Sequence, residues 1–263
     1  HVLIRDENPG SPSAGQEVRR AVTIVETPPM RVLGVRGYKL TPYGKQTAGE
    51  AWASCEAISE AQPNLIRRVP ARNEHNTDEH LSSLKELAEN GELVEVRLIV
   101  STQPESVKSI PTKTPDLMEL GLTGSDIGAR LGWAEEKLGE LISVEDVFSN
   151  GNDIDVVAVT KGKGWQGSIK RWGIKLLSHK NSKRRRQGGN MGDFGTRYVR
   201  KTIRQAGQVG YHNRTELNKR ILRVSNPGES DITPAGGFLN YGEVTNPYMI
   251  IQGSLPGTSK RML

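Results

Sequence analysis

Several short patterns carry residue types that could do chemistry. Gly162-Lys-Gly164-Trp-Gln-Gly167 has the G-x-G-x-x-G spacing of a loop whose bare backbone approaches a pyrophosphate, and it follows the apolar run 156–160. Asp193-Phe194-Gly195 matches the magnesium-binding triplet of kinases. His75-Asn-Thr-Asp-Glu79-His80 is one residue longer than the zinc-protease pattern H-x-x-E-H, and Asn213-Arg-Thr215 fits a glycosylation sequon. Each lacks the context its chemistry needs. A dinucleotide site requires an amphipathic helix opening at the glycines and an acid about 20 residues later. Here Gly173 interrupts that stretch, and the neighbourhood of Arg184 is wholly basic. No strand-lysine pattern or H-R-D loop separates the two kinase-like pieces. The extra residue between His75 and His80 rotates the ligands away from each other on a helix, and nothing marks the chain as secreted. No Ser or Cys has a plausible His and acid constellation. The reading is no catalytic residue, no metal site and no cofactor; the glycines let backbone approach a crowded polyanion.

The charge distribution points to a binding chemistry instead. The chain of 263 residues has 36 Lys and Arg against 30 Asp and Glu, a net charge of +6. Residues 161–224 alone hold 18 basic side chains against Asp193 and Glu216, a net of +16, which leaves −10 for the rest. A solvated face normally mixes signs, whereas a single-signed block of this length fits a polyanion, with nucleic acid as the leading candidate. Trp165, Trp172, Phe194, Tyr198, Tyr211 and His212 are interleaved with the cations, where rings either stack on bases or pack beneath them. From 178 to 205 the sizeable apolar residues are Met191, Phe194, Tyr198, Val199 and Ile203. That is too little to offset a chain entropy of ~1 to 2 kcal/mol per residue, so a partner is expected to order this segment. At its tip, glycines flank Phe194, and an RNA contact is expected of its ring.

The positioning elements read as follows. Strands are expected at 1–5, 18–25, 30–38, 93–100, 156–160, 220–224, 238–244 and 248–252, from branched apolar runs bounded by Gly and Pro. Helices are expected at 48–60, at 78–89 with Thr77 as cap and Gly91 as stop, around 117–120, and at 127–141. Ser143 and Asp146 give a weak cap signal. Helix and strand therefore mix between about 48 and 150, with mostly strands on either side. No apolar run reaches the ~18 to 20 residues of a membrane helix. The single Cys leaves no internal disulfide and no cysteine-based zinc ribbon, which suits a reducing compartment. His1 is not an initiator Met, so the chain reads as an internal fragment.

Five segments carry a family resemblance: VETPPMRV (25–32), YGKQTAGEAWA (43–53), VFSNGNDIDVVAVTKGKGWQGSIKRWG (147–173), QAGQVGYHNRTELNKRI (205–221) and GGFLNYGEVTNPYMIIQGSLPGTSKRML (236–263). In that order they resemble the universal large-subunit ribosomal protein L-three family, in its archaeal and eukaryotic form. The resemblance implies a mainly β fold with an α/β insertion: a six-stranded β-barrel of the translation-protein type, an inserted mixed α/β domain, and a long basic extension that penetrates RNA. Its divisions would be barrel at 1–47, insert at 48–150, a barrel strand at 151–160, extension at 161–204 and barrel again at 205–263. It further implies a non-enzymatic, cytoplasmic constituent of the large ribosomal subunit. The partners would be large-subunit ribosomal RNA and neighbouring large-subunit proteins, with no membrane. The extension would reach toward the peptidyl transferase centre, and Phe194 stands where relatives commonly have Trp. Block and resemblance together put RNA contacts at Lys161, Lys163, Trp165, Lys170, Arg171, Trp172, Lys175, His179, Lys180, Lys183, Arg184, Arg185, Arg186, Phe194, Arg197, Arg200, Lys201, Arg204, Gln208, Tyr211, His212, Arg214, Lys219 and Arg220.

Overall fold

A computed structural model describes residues 1–54, 62–69, 76–181, 183–192 and 198–263. The chain divides into one compact unit of residues 1–152 and 220–252 and a second of residues 153–219 and 253–263.

The first unit is built on a long central strand, β4 (Met30–Thr41). It pairs antiparallel with β5 (Gly44–Trp52) through a tight hairpin and with β6 (Leu93–Ser101), which in turn pairs with β7 (Leu117–Gly121). The short β8 (Leu141–Ile142) joins the start of β4. Two helices, α1 (Thr77–Glu89) and α2 (Ile127–Glu136), bring Leu81, Leu84, Leu131 and Ala134 into one buried cluster with Val35, Val96, Leu98 and Val100. The close fit of α1 depends on missing side chains. A Cβ on Gly37 would lie 2.9 Å from Leu84 Cδ2, and one on Gly49 would lie 3.1 Å from the same atom. The strand period of two sends the alternate residues to the other face, where they form an ionic lattice. There Arg36 pairs with Glu50 (2.7 Å) and with Glu119, Tyr38 donates to Glu119 (2.7 Å), and Arg97 pairs with Glu95 (2.8 Å). The lattice holds the Glu95 carboxyl below its usual range, chiefly through hydrogen bonds from Lys45 and Arg97.

The same unit contains the ribbon β1 (Val2–Arg5) with β2 (Glu17–Arg20), and the strands β3 (Val22–Glu26) and β13 (Tyr248–Gln252). β13 also pairs with the end of β12 (Asn213–Ser225), and Val244, Tyr248 and Ile250 form its buried centre. Glu26 fastens the approach to β13. Its carboxylate accepts from the Asn246 backbone N–H (3.0 Å), the Asn246 side-chain amide (2.8 Å), the Thr245 N–H (3.2 Å) and the Tyr241 hydroxyl. Burial first, and the hydrogen bond to the carboxylate second, push the Tyr241 phenol well above the usual tyrosine range. A raised folded-state value means that this contribution to stability is complete below the unfolded pKa of about 10 and is lost as pH rises through the folded one. Tyr241→Phe is expected to cost about 1 to 2 kcal/mol at neutral pH and to remove part of the alkaline loss of stability. Urea unfolding at about pH 8 and about pH 11 checks this; an equally steep alkaline loss in the mutant would contradict it.

Several expectations are corrected. Residues 48–52 belong to strand β5 rather than a helix, because pairing with β4 and the space for Leu84 over Gly49 override the helix preference of Glu50 and Ala51. Residues 53 and 54 carry neither helix nor strand, and 55–60, the rest of that expected helix, lie outside the described residues. Residues 117–120 are β7, drawn onto the free edge of β6. The expected strand at 238–244 is a turn with a lone Phe238–Gly242 bridge, since Gly237, Asn240 and Gly242 all have positive φ. Asn76, not Thr77, occupies the N-cap of α1, and the Thr77 hydroxyl donates instead to the Trp52 carbonyl (2.7 Å). Ser143 and Asp146 do close a turn, through the Ser143 N–H (2.8 Å) and hydroxyl (2.9 Å).

The chain is mainly β with few helices, but among the described residues no six-stranded barrel closes. The relevant strand order is the open path β3-β13-β12-β9, where β9 is Asp153–Val159. Closure would need further pairing on β3 and β9, and the segment expected to supply one more strand, 238–244, is spent on its turn. No helix of the described residues is long and apolar enough to cross a membrane.

Candidate nucleic-acid interface

The second unit holds 18 Lys and Arg against four acids, a net of +14, while the first carries −8. Its frame is a two-legged ribbon at the root of the basic segment. The outgoing leg contains β10 (Trp165–Gln166) and the returning leg contains β11 (Gly207–Gln208). Beyond that short ladder, Lys163 N–H donates to the Val209 carbonyl (2.9 Å), Val209 N–H to Gly164 (2.9 Å), Tyr211 N–H to Thr160 (3.2 Å) and Thr160 N–H to His212 (3.0 Å). The approach is close enough to require glycine at one position. A Cβ on Gly210 would lie 1.9 Å from the Lys161 carbonyl oxygen, and Gly210 has φ +78°.

Between the legs, β10 leads into a five-residue helix, α3 (Ser168–Trp172), which Gly173 ends in the left-handed conformation. A clasp joins this helix to the returning leg. Trp172 Nε1 donates to the Gln205 carbonyl (2.8 Å), and Arg171 donates to the carbonyls of Gln205 (3.2 Å) and Ala206 (3.4 Å). The Arg171 guanidinium also lies over the Trp172 ring, 5.1 Å from its centroid, and fills the space that a side chain on Gly207 would need. Beyond the clasp, the described part of 174–206 has turns and bends without helix or strand. Its backbone bonds include Leu177 N–H to Arg185 (3.2 Å) and Asn181 N–H to Ser178 (3.0 Å).

This geometry disposes of the phosphate-loop pattern. Gly162 and Gly164 lie along a β-ribbon, and the helix after Gly167 is too short to present a useful dipole. What the ribbon presents is cations and rings. Lys161, Lys163, Lys170, Lys175, Lys180, Lys183, Arg184, Arg186, Arg200 and Lys201 are exposed and have no acidic partner among the described residues. Trp165 is 76% exposed and Tyr211 66%. Exposed rings beside unneutralised cations are the side-chain types that stack on bases and pair with phosphates.

Comparison with known proteins names the setting. The family model for Ribosomal protein L3 matches residues 1–263. The chain belongs to the ribosomal protein L3 family. It is 43% identical over 266 residues to the large ribosomal subunit protein uL3 of Archaeoglobus fulgidus, covering all of this chain and 77% of that protein. The uL3 proteins of Methanopyrus kandleri (42% over 265 residues, 72% of its length) and Haloarcula marismortui (40% over 268 residues, 77% of its length) are similar along the whole of this chain.

Placed on this L3-family chain, the expected contact residues separate into groups. Lys161, Lys163, Trp165, Tyr211 and His212 lie on the ribbon, and all are exposed. Arg171 and Trp172, expected to meet RNA, are exposed and also hold the clasp, through one guanidinium nitrogen and the indole N–H. Lys170 is on α3, while Lys175, His179, Lys180, Lys183, Arg184, Arg185, Arg186, Arg200, Lys201 and Arg204 are exposed along the segment between the legs. Gln208 turns its amide back onto the Gly210 carbonyl (3.1 Å). Arg214 and Arg220 are exposed on β12, and Lys219 is half-buried with an ion pair to Glu216 (2.7 Å). Phe194 and Arg197 lie outside the described residues, as do Asp193 and His75 of the kinase-like and zinc-like patterns. Sequence reading missed Arg261, whose guanidinium stands over the Tyr211 ring, 5.3 Å from its centroid. Only the Lys260-Arg261 pair itself could have signalled it, and 48 residues of chain lie between Tyr211 and that pair.

Proposed function

We propose that the chain is a non-catalytic structural constituent of the large ribosomal subunit that binds large-subunit ribosomal RNA. It would support early subunit assembly beside neighbouring large-subunit proteins, in the cytoplasm. Segment 161–204 would serve as the RNA-penetrating extension directed toward the peptidyl transferase centre, with Phe194 at its tip, and 48–150 as the inserted domain. The observation that carries this reading is the exposed, unneutralised row of cations on and beyond the ribbon. Such cations release counterions from RNA and let its helices approach one another, while the ribbon fixes where the extension leaves the fold.

The test is comparative binding by the whole protein. Large-subunit ribosomal RNA is expected to bind more tightly than duplex DNA of equal charge, and ATP or NAD is expected to leave the thermal midpoint unchanged. Equal affinity for the DNA would indicate a general nucleic-acid binder, and stabilisation by a nucleotide would restore the glycine loop as an enzyme site.

A further inference from the structure

The Tyr211 backbone lies in the left-handed region, with φ +59°, where a tyrosine is uncommon and is held only if its surroundings enforce it. The enforcement is visible. Tyr211 N–H is bonded to the Thr160 carbonyl (3.2 Å), the next N–H to Thr160 Oγ1 (3.2 Å), and the preceding residue is the obligatory Gly210. This unfavourable conformation does not bury the ring, which remains 66% exposed with Arg261 already over it. Arg261 is delivered by the segment 253–263, which packs closely on β9: a Cβ on Gly257 would lie 3.2 Å from the Val159 carbonyl oxygen. Lys260, beside it, is likewise left-handed at φ +69°. Two chain segments thus hold unfavourable backbone geometry where a phenol ring and a guanidinium meet in solvent.

We propose that Tyr211 and Arg261 form a preset clamp for one unstacked RNA base, the base lying against the ring and the guanidinium taking a phosphate of the same strand. The inference rests on the RNA-binding reading above and adds to it a specific nucleotide site whose cation comes from the segment after β13. A ring already fixed in place loses little freedom on stacking, and a cation over it strengthens its hold on a base and its phosphate together.

The experiment uses the whole protein and two oligonucleotides of equal length and charge, oligoadenylate and its fully abasic counterpart. The wild type is expected to prefer the base-bearing strand. Tyr211→Leu should cut that preference by about tenfold and leave the slope of affinity against salt unchanged, since no charge is removed. Arg261→Gln should reduce the preference and lower the salt slope by about one ion. Both variants should keep the wild-type thermal midpoint. A wild type that binds both strands with the usual salt dependence while Tyr211→Leu keeps its full preference would overturn the clamp alone. A wild type that binds neither strand nor ribosomal RNA would overturn the RNA-binding reading with it. A midpoint that falls in Tyr211→Leu with no change in preference would make the ring a packing element and end the proposal.

Discussion

Replacing residues 178–205 with a short Gly-Ser linker is expected to remove about half of the salt dependence of ribosomal RNA binding. The deleted segment carries nine Lys and Arg: Lys180, Lys183, Arg184, Arg185, Arg186, Arg197, Arg200, Lys201 and Arg204. If ~6 to 10 cations of the whole basic block meet phosphates, wild-type affinity should fall roughly 10³- to 10⁵-fold between about 50 and 200 mM salt, and somewhat less on single strands. Nine of the block's 18 cations lie in the deleted residues, so the shortened protein should bind more weakly and respond with about half the slope. Its thermal unfolding should be unchanged, because none of the described residues removed is among the buried hydrophobic ones. Filter binding across a salt series checks both halves. A flat response in the wild type, or unchanged affinity after deletion, would show that the block is not the electrostatic footprint.

The second large effect is expected from one methyl group. Gly210→Ala must hold an L-residue at φ +78° and place its Cβ 1.9 Å from the Lys161 carbonyl oxygen, a backbone atom with no rotamer through which to move aside. The conformational part costs about 1 to 2 kcal/mol, and the overlap adds about 1 to 3 kcal/mol or forces the legs apart. The Lys163 and Val209 amides, bonded across the ribbon beside this point, should lose about 100-fold or more of their hydrogen-exchange protection. Affinity for ribosomal RNA should fall with them, because Lys161, Lys163 and Tyr211 would no longer have fixed positions. Gly167→Ala is the control, since its Cβ would meet nothing within 4 Å and its φ is −65°. Protection equal to wild type in Gly210→Ala would mean that the close approach is not what holds the ribbon.

These effects also mark where the sequence was readable. The strands at 30–38, 93–100 and 248–252 were legible because branched residues bounded by Gly and Pro leave few other solutions, and the helix at 78–89 because Leu81, Leu84, Leu87 and Ala88 share one face. Residues 117–120 were misread because Leu-Met-Glu-Leu favours a helix and only the vacant edge of β6 makes it a strand. At the candidate site, the charge block was plain from composition, since unneutralised cations need no tertiary context to be counted. The double use of Arg171 and Trp172 was not. Their bonds run to backbone carbonyls at Gln205 and Ala206, and a carbonyl leaves no trace in the sequence. Arg261 was invisible for a related reason: its pairing with Tyr211 depends on segment 253–263 lying along β9.

The clasp at the root of the basic segment has a consequence for how this chain can drift. Because Arg171 and Trp172 grip the main chain of the returning leg, the side chains at 205 and 206 can be exchanged widely without loosening it. The restriction passes instead to Gly207, where even a methyl group would stand 2.5 Å from the guanidinium carbon. A side chain there would have to displace the guanidinium and so release the Arg171 half of the clasp, which ties the freedom at 207 to the residue at 171 while the Trp172 bond to the Gln205 carbonyl is left in place.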